Sequence, residues 1–213
     1  MILFSTISYW CYLCILLINT IFSFIKSNER KIAWLNILSF YLLGLFIIQI
    51  TSDVTAYFTS DNLYFSHIYF YFQFIALGVF YHKLFKKHPK QQKFIRIYIF
   101  STTIYLLIYY IISPAMWFKF NLSEIILTNY LLIVCSLMYN YNTLSKRRLL
   151  GYFNIGVTSY SILCCSLFLY GNVMAKVDLS SAIYVWALHF LAIIFFQLMI
   201  SVQLVKLFPL FRK

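Results

Sequence analysis

A chain of 213 residues that is 63% hydrophobic and only 10% charged cannot cover itself with the water-facing surface of a soluble domain, where about a quarter of residues are charged. Five glycines and three prolines exclude a linker or a low-complexity polymer. The apolar residues run together instead of forming one stripe per helix, so the solvent that suits them is lipid.

A helix that crosses the hydrocarbon needs about 20 mostly apolar residues. Seven stretches meet that length, at 3–25, 32–58, 63–84, 94–113, 122–144, 149–174 and 181–207. The first is too long for a signal peptide, with no basic segment before it and no small-residue cleavage site after it, so it is the first span. The second carries Gln49-Ile-Thr-Ser-Asp53-Val-Thr near its end, and a very short turn at Asp61 and Asn62 leads into the third. The third opens with Tyr64-Phe-Ser-His67-Ile-Tyr69 and runs into the most basic segment, Lys83 to Arg96. Pro114 stops the fourth. Glu124 opens the fifth, and the sixth carries Asn154, Thr158, Ser161 and Cys165 on one helical face, the mark of a side turned to other helices. The seventh contains Trp186-Ala-Leu-His189 and is followed by Pro209.

Backbone groups in lipid must be satisfied within a segment, and the short alternating strands of a barrel are absent, so each run is helical. The expected fold is all-α: one domain over 1–213, a polytopic bundle of seven spans. Its short loops make consecutive helices antiparallel neighbours. All five cysteines lie within apolar runs and behave as small hydrophobes; neither a zinc spacing nor a disulfide framework is expected.

Charge sets the orientation. Of the 17 Lys and Arg, all but Lys119 and Lys176 fall on one side of the seven runs. Cytoplasmic loops retain such residues. The N-terminus is therefore expected outside and the C-terminus in the cytoplasm, in a bacterial inner (cytoplasmic) membrane. The net charge of +12 is then a topology signal that also meets anionic head groups, and no nucleic acid is implied. The expected partners are the bilayer and a membrane or cytoplasmic protein docked on the basic loops. No cofactor is implied.

Ionisable groups are costly inside a bilayer, which singles out Asp53, His67, Glu124 and His189. At the rise of an α-helix, Asp53 and His67 both sit about 6–8 Å inside the ends of adjacent helices, and an Asp53–His67 pair is expected. His189 lies deeper, about 12 Å in. Two readings stay open. In one, these groups satisfy each other between helices and hold the bundle together. In the other, they line a pocket open to the outside, floored by His189 and walled by Tyr64, Tyr69, Tyr71 and Trp186. No catalytic residue is assigned, and no local ligand spacing supports a metal.

The segment from Asn62 to Phe85, with its Ser-His-Ile-Tyr and the aromatic run after it, resembles small seven-helix integral membrane proteins of Bacteroidota; the closing Tyr184-Val-Trp-Ala-Leu-His adds to the likeness. The resemblance implies the membrane fold and carries no activity. Other seven-span families fit less well: a retinal Schiff base needs a lysine midway along the last helix, and none precedes Lys206.

The leading functional expectation is a sensor, or a regulatory or accessory module, that acts through a separate protein. A small secondary transporter comes second. Carriers break helices near the midplane with Pro or Gly, whereas Pro89, Pro114 and Pro209 lie outside the runs and Gly44, Gly78 and Gly156 stand alone. An intramembrane enzyme using the His and carboxylate groups ranks third.

Overall fold

The computed structural model describes residues 2–59, 62–144, 149–174 and 181–208; the side chains of 2–5, 171–174, 181–184 and 186 lie outside that description. Seven α-helices account for nearly all of it: α1 (Ile2–Arg30), α2 (Ala33–Thr59), α3 (Tyr64–Leu84), α4 (Pro89–Ile112), α5 (Leu122–Asn142), α6 (Gly151–Met174) and α7 (Ser181–Leu207). A 3-10 helix, Pro114–Phe118, joins α4 to α5. Among the described residues there is no strand. Six helices, all but α3, are long and apolar enough to cross a membrane. The chain is a multi-span membrane protein.

Local chemistry ends each helix where the chain must turn. Lys31, at φ 52°, takes the left-handed conformation, and its N–H closes the last turn of α1 onto the Ser27 carbonyl. Pro89 occupies the first turn of α4, where the missing N–H costs nothing. That corrects two boundaries. Lys90 and Lys93, expected in a loop, sit in the first two turns of α4, because Pro89 opens a helix as readily as it ends one. Likewise α1 continues past residue 25 to Arg30, steadied by a Lys26–Glu29 ion pair at 2.8 Å.

The helices close into a ring in which α1 meets α2 and α7, α2 meets α3, α3 meets α5, α5 meets α6, and α6 meets α7; α4 packs outside against α3 and α5. Large apolar side chains such as Ile18, Phe40, Phe100, Ile111 and Leu137 cover the outer surface, as lipid contact requires.

The one long helix that falls short of a membrane span by hydropathy, α3, turns few of its side chains outward. Ser66, His67, Gln73, His82 and four tyrosines lower the hydropathy of α3. Its side chains reach Thr103 on α4, Glu124 on α5, Tyr160 and Asn154 on α6, and His189 on α7. Polar side chains can occupy a membrane helix whose neighbours satisfy them, at about 0.6 kcal/mol per interhelical hydrogen bond.

Two further joints follow the same logic. Asn19 on α1 donates to the Gln197 side chain at 3.0 Å and accepts from Ser201 at 2.7 Å, tying α1 to α7. The Gln203 carbonyl on α7 accepts from the backbone N–H groups of Tyr152 and Phe153, and the Tyr139 hydroxyl accepts from that of Leu150. Neighbouring helices thus satisfy the orphan donors at the start of α6. The stripe read on the sixth run is packed: Asn154 and Ser161 are buried, and Thr158 meets Ser136 at 2.5 Å.

Candidate functional site

Helix alternation gathers Lys26, Arg30, Lys31, Lys83, Lys86, Lys87, Lys90, Lys93, Arg96 and Lys206 at one end of the bundle. The four ionisable groups singled out in the sequence all lie toward the opposite end, and the structure divides them between two places.

The first is a buried cluster between α3, α4 and α5. His67 Nδ1 lies 2.5 Å from Glu124 Oε2, and the two side chains are 3% and 2% exposed, so neither can turn to water instead. The Tyr110 hydroxyl donates to Glu124 Oε2 at 2.6 Å and lies 2.9 Å from His67 Nδ1. Asn121 does two things: its amide donates to the Tyr110 hydroxyl at 3.2 Å, and its carbonyl caps α5 by accepting the Glu124 N–H at 3.2 Å. A carboxylate in the first turn of a helix also meets the positive end of the helix dipole. Trp117, from the 3-10 helix, stacks on Tyr110 at 4.4 Å and meets the edge of His67 at 5.8 Å, closing the cluster over.

The expected Asp53–His67 pair is overturned. The pair fails on depth as well as on angle: Asn62 bonds Ser52, so Asp53 lies level with the turn before α3 and His67 lies farther into the bundle. Successive residues of a helix point about 100° apart. Ser66, Tyr69 and Phe70 face α2 and α7, while His67 faces α5.

The second place is a cavity of about 480 Å³ between α1, α2, α3 and α7. Asp53, Gln49 and Ser52 enter it from α2, and Ser66, Tyr69 and Phe70 from α3. Asn62, in the turn between those helices, donates to the Ser52 hydroxyl at 3.0 Å. His189 lines the cavity from α7, buried among the rings of Phe70, Phe168 and Tyr160, with the nearest centroid at 4.9 Å.

Of the expected site residues, Asp53, Tyr69 and His189 line this cavity, and His67 and Glu124 belong to the cluster. Tyr64 lines neither; its ring lies 4.5 Å from that of Phe65. Tyr71 turns the other way and donates to Thr103 on α4 at 3.1 Å. The side chain of Trp186 lies outside the described residues. The sequence reading missed Tyr110, Trp117 and Asn121. The spacing of Asn121 and Glu124, a helix cap and its third residue, was a usable signal. Tyr110, one of 19 tyrosines, carried none. Among the described residues no three His, Cys, Asp or Glu side chains converge as they would to hold a metal ion.

In comparisons with protein-family models, curated proteins and solved structures, nothing matches the chain.

Proposed function

We propose that this protein is a ligand-sensing or accessory module of a bacterial cytoplasmic membrane. Its basic end would lie in the cytoplasm, its cavity would open to the outside, and its output would pass to a separate protein. The observation that carries this reading is the cavity. A bundle rich in buried aromatic rings leaves about 480 Å³ beside Asp53 and His189. That volume falls in the range of small-molecule sites, which are mostly apolar with a few convergent polar groups.

The asymmetry of the two ends supports the rest. Lys and Arg held at one end mark the side from which the chain was inserted. They also offer a surface to an acidic partner or to anionic head groups. The described helices that line the cavity run through it without a proline or an interrupted turn. That favours a binding module over an alternating-access carrier, whose sites sit at broken helices. The His67 and Glu124 side chains are buried and bonded to each other and to Tyr110, which suits a structural joint better than a reaction centre.

The test is to purify the protein in lipid nanodiscs, denature it and identify what it releases by mass spectrometry. The parent should release a small molecule that the Ser66→Trp variant, with the cavity filled, does not. The same substitution should change which protein is captured by a photo-crosslinker placed at Lys90. A parent that retains nothing beyond lipid, with crosslinks indifferent to Ser66→Trp, would contradict the reading.

A further inference from the structure

We propose that the cavity takes an organic monocation, a protonated amine or quaternary ammonium carrying an apolar body; this rests on the cavity being a binding site, as argued above. Asp53 is the only charged side chain that lines it among the described residues, and neither lysine nor arginine enters. The carboxylate forms no ion pair or hydrogen bond with the described residues, unlike Glu124, which meets His67 and Tyr110, and Glu29, which pairs with Lys26. A carboxylate placed near the end of a membrane helix that meets no cation among the described residues can take its counter-charge from a ligand.

The rest of the wall says what kind of cation fits. Tyr9, Phe65, Tyr69, Phe70 and Phe190 present aromatic rings from α1, α3 and α7. Ring faces attract a cation and shelter an alkyl or aryl body, the arrangement that recognises ammonium ligands. A hydrated inorganic ion gains little from such a wall and would want several oxygen ligands. An anion would meet the Asp53 charge with no lysine or arginine of the described lining to offset it. The Tyr9 hydroxyl is buried behind the same wall without a hydrogen-bond partner among the described residues.

The experiment uses the full chain in nanodiscs and three probes of similar shape: 2-phenylethylammonium, 2-phenylethanol and 3-phenylpropionate. Tetramethylammonium is a fourth probe, and sodium chloride at equal concentration is the control. Thermal stability and equilibrium binding are read for the parent and for Asp53→Asn. The cations should raise the melting temperature and bind saturably. The alcohol should bind at least about ten-fold more weakly and the carboxylate not at all. Asp53→Asn should keep the parent's own melting temperature and lose at least about ten-fold in cation affinity.

Binding of the alcohol or the carboxylate as tight as that of the ammonium would overturn the monocation while leaving a binding cavity in place. So would an effect reproduced by sodium alone, or cation affinity unchanged in Asp53→Asn. Failure of both cations to bind at millimolar concentration would overturn it as well. The released-ligand experiment then decides separately whether the cavity binds anything. If Asp53→Asn proves unstable, Asp53→Glu replaces it; this variant keeps the charge and should keep the preference for the cation.

Discussion

Glu124 and His67, 57 residues apart in sequence, meet at 2.5 Å in the interior and join the first turn of α5 to the first turn of α3. A buried pair of this kind costs little while intact and a great deal when half of it is removed, because the survivor keeps its desolvation without its partner. Glu124→Ala should therefore lower stability by about 3 kcal/mol, read as unfolding in mixed micelles. His67→Ala should cost a comparable amount, and the double variant less than the sum, with a coupling of about 1–3 kcal/mol. Additive losses would mean that the two side chains do not depend on each other.

Close helix approach gives a second prediction. A Cβ on Gly156 would lie 2.8 Å from the Cβ of Met199, which belongs to the rigid start of its side chain on α7. On Gly78 a Cβ would lie equally near Ile99 Cδ1, the free end of a side chain that can rotate away. Gly156→Ala should cost about 1–3 kcal/mol through overpacking of α6 against α7. Gly78→Ala should cost less. Equal losses at the two positions, measured by thermal denaturation, would contradict the stated packing.

The start of α6 gives a third. Gln203 accepts from the N–H groups of Tyr152 and Phe153 and donates to the Leu149 carbonyl at 2.8 Å. Gln203→Leu keeps the side chain's approximate volume and strips all three bonds. The amides of Tyr152 and Phe153 should then exchange hydrogen faster, while those in the middle of α6 should not change. Unaltered exchange at these two residues would show that another group caps the helix.

The Tyr81 hydroxyl donates to Asn154 Oδ1 at 2.8 Å, linking α3 to α6 where both side chains are buried. Tyr81→Phe removes one bond and leaves Asn154 its own link to the Leu150 carbonyl. The expected loss is about 1 kcal/mol. Asn154→Leu should cost more in the same unfolding measurement, because it removes the bond to the Leu150 carbonyl as well as the one to Tyr81.

Much of the fold was legible from hydropathy alone, because burial in lipid requires long apolar runs whatever their neighbours. The runs at 63–84 and 181–207 match α3 and α7 within a residue. Boundaries failed where charge was mistaken for a loop: Lys90 and Lys93 look like a hydrophilic linker in sequence, yet Pro89 starts a helix beneath them. The ionisable residues were findable because lipid makes each of them rare. Their partners were not, because counting residues fixes neither the level at which a turn sits nor how each helix is rotated in the bundle. Thus Asp53 lies level with the turn at Asn62, while His67 lies farther in and looks toward α5. The central place of α3 had a visible cause: only a helix enclosed by others can carry Ser66, His67, Gln73 and His82 through such surroundings.

The account turns on a water-accessible cavity at the end opposite the cations. The most direct measurement is thiol labelling of intact cells with a membrane-impermeant maleimide, reading each variant above the background of the parent chain. Ser66→Cys, in the cavity wall, should label from outside, and Lys90→Cys should label only after the membrane is permeabilised. Ser66→Cys that stays unlabelled under both conditions, or Lys90→Cys that reacts in intact cells, would contradict it.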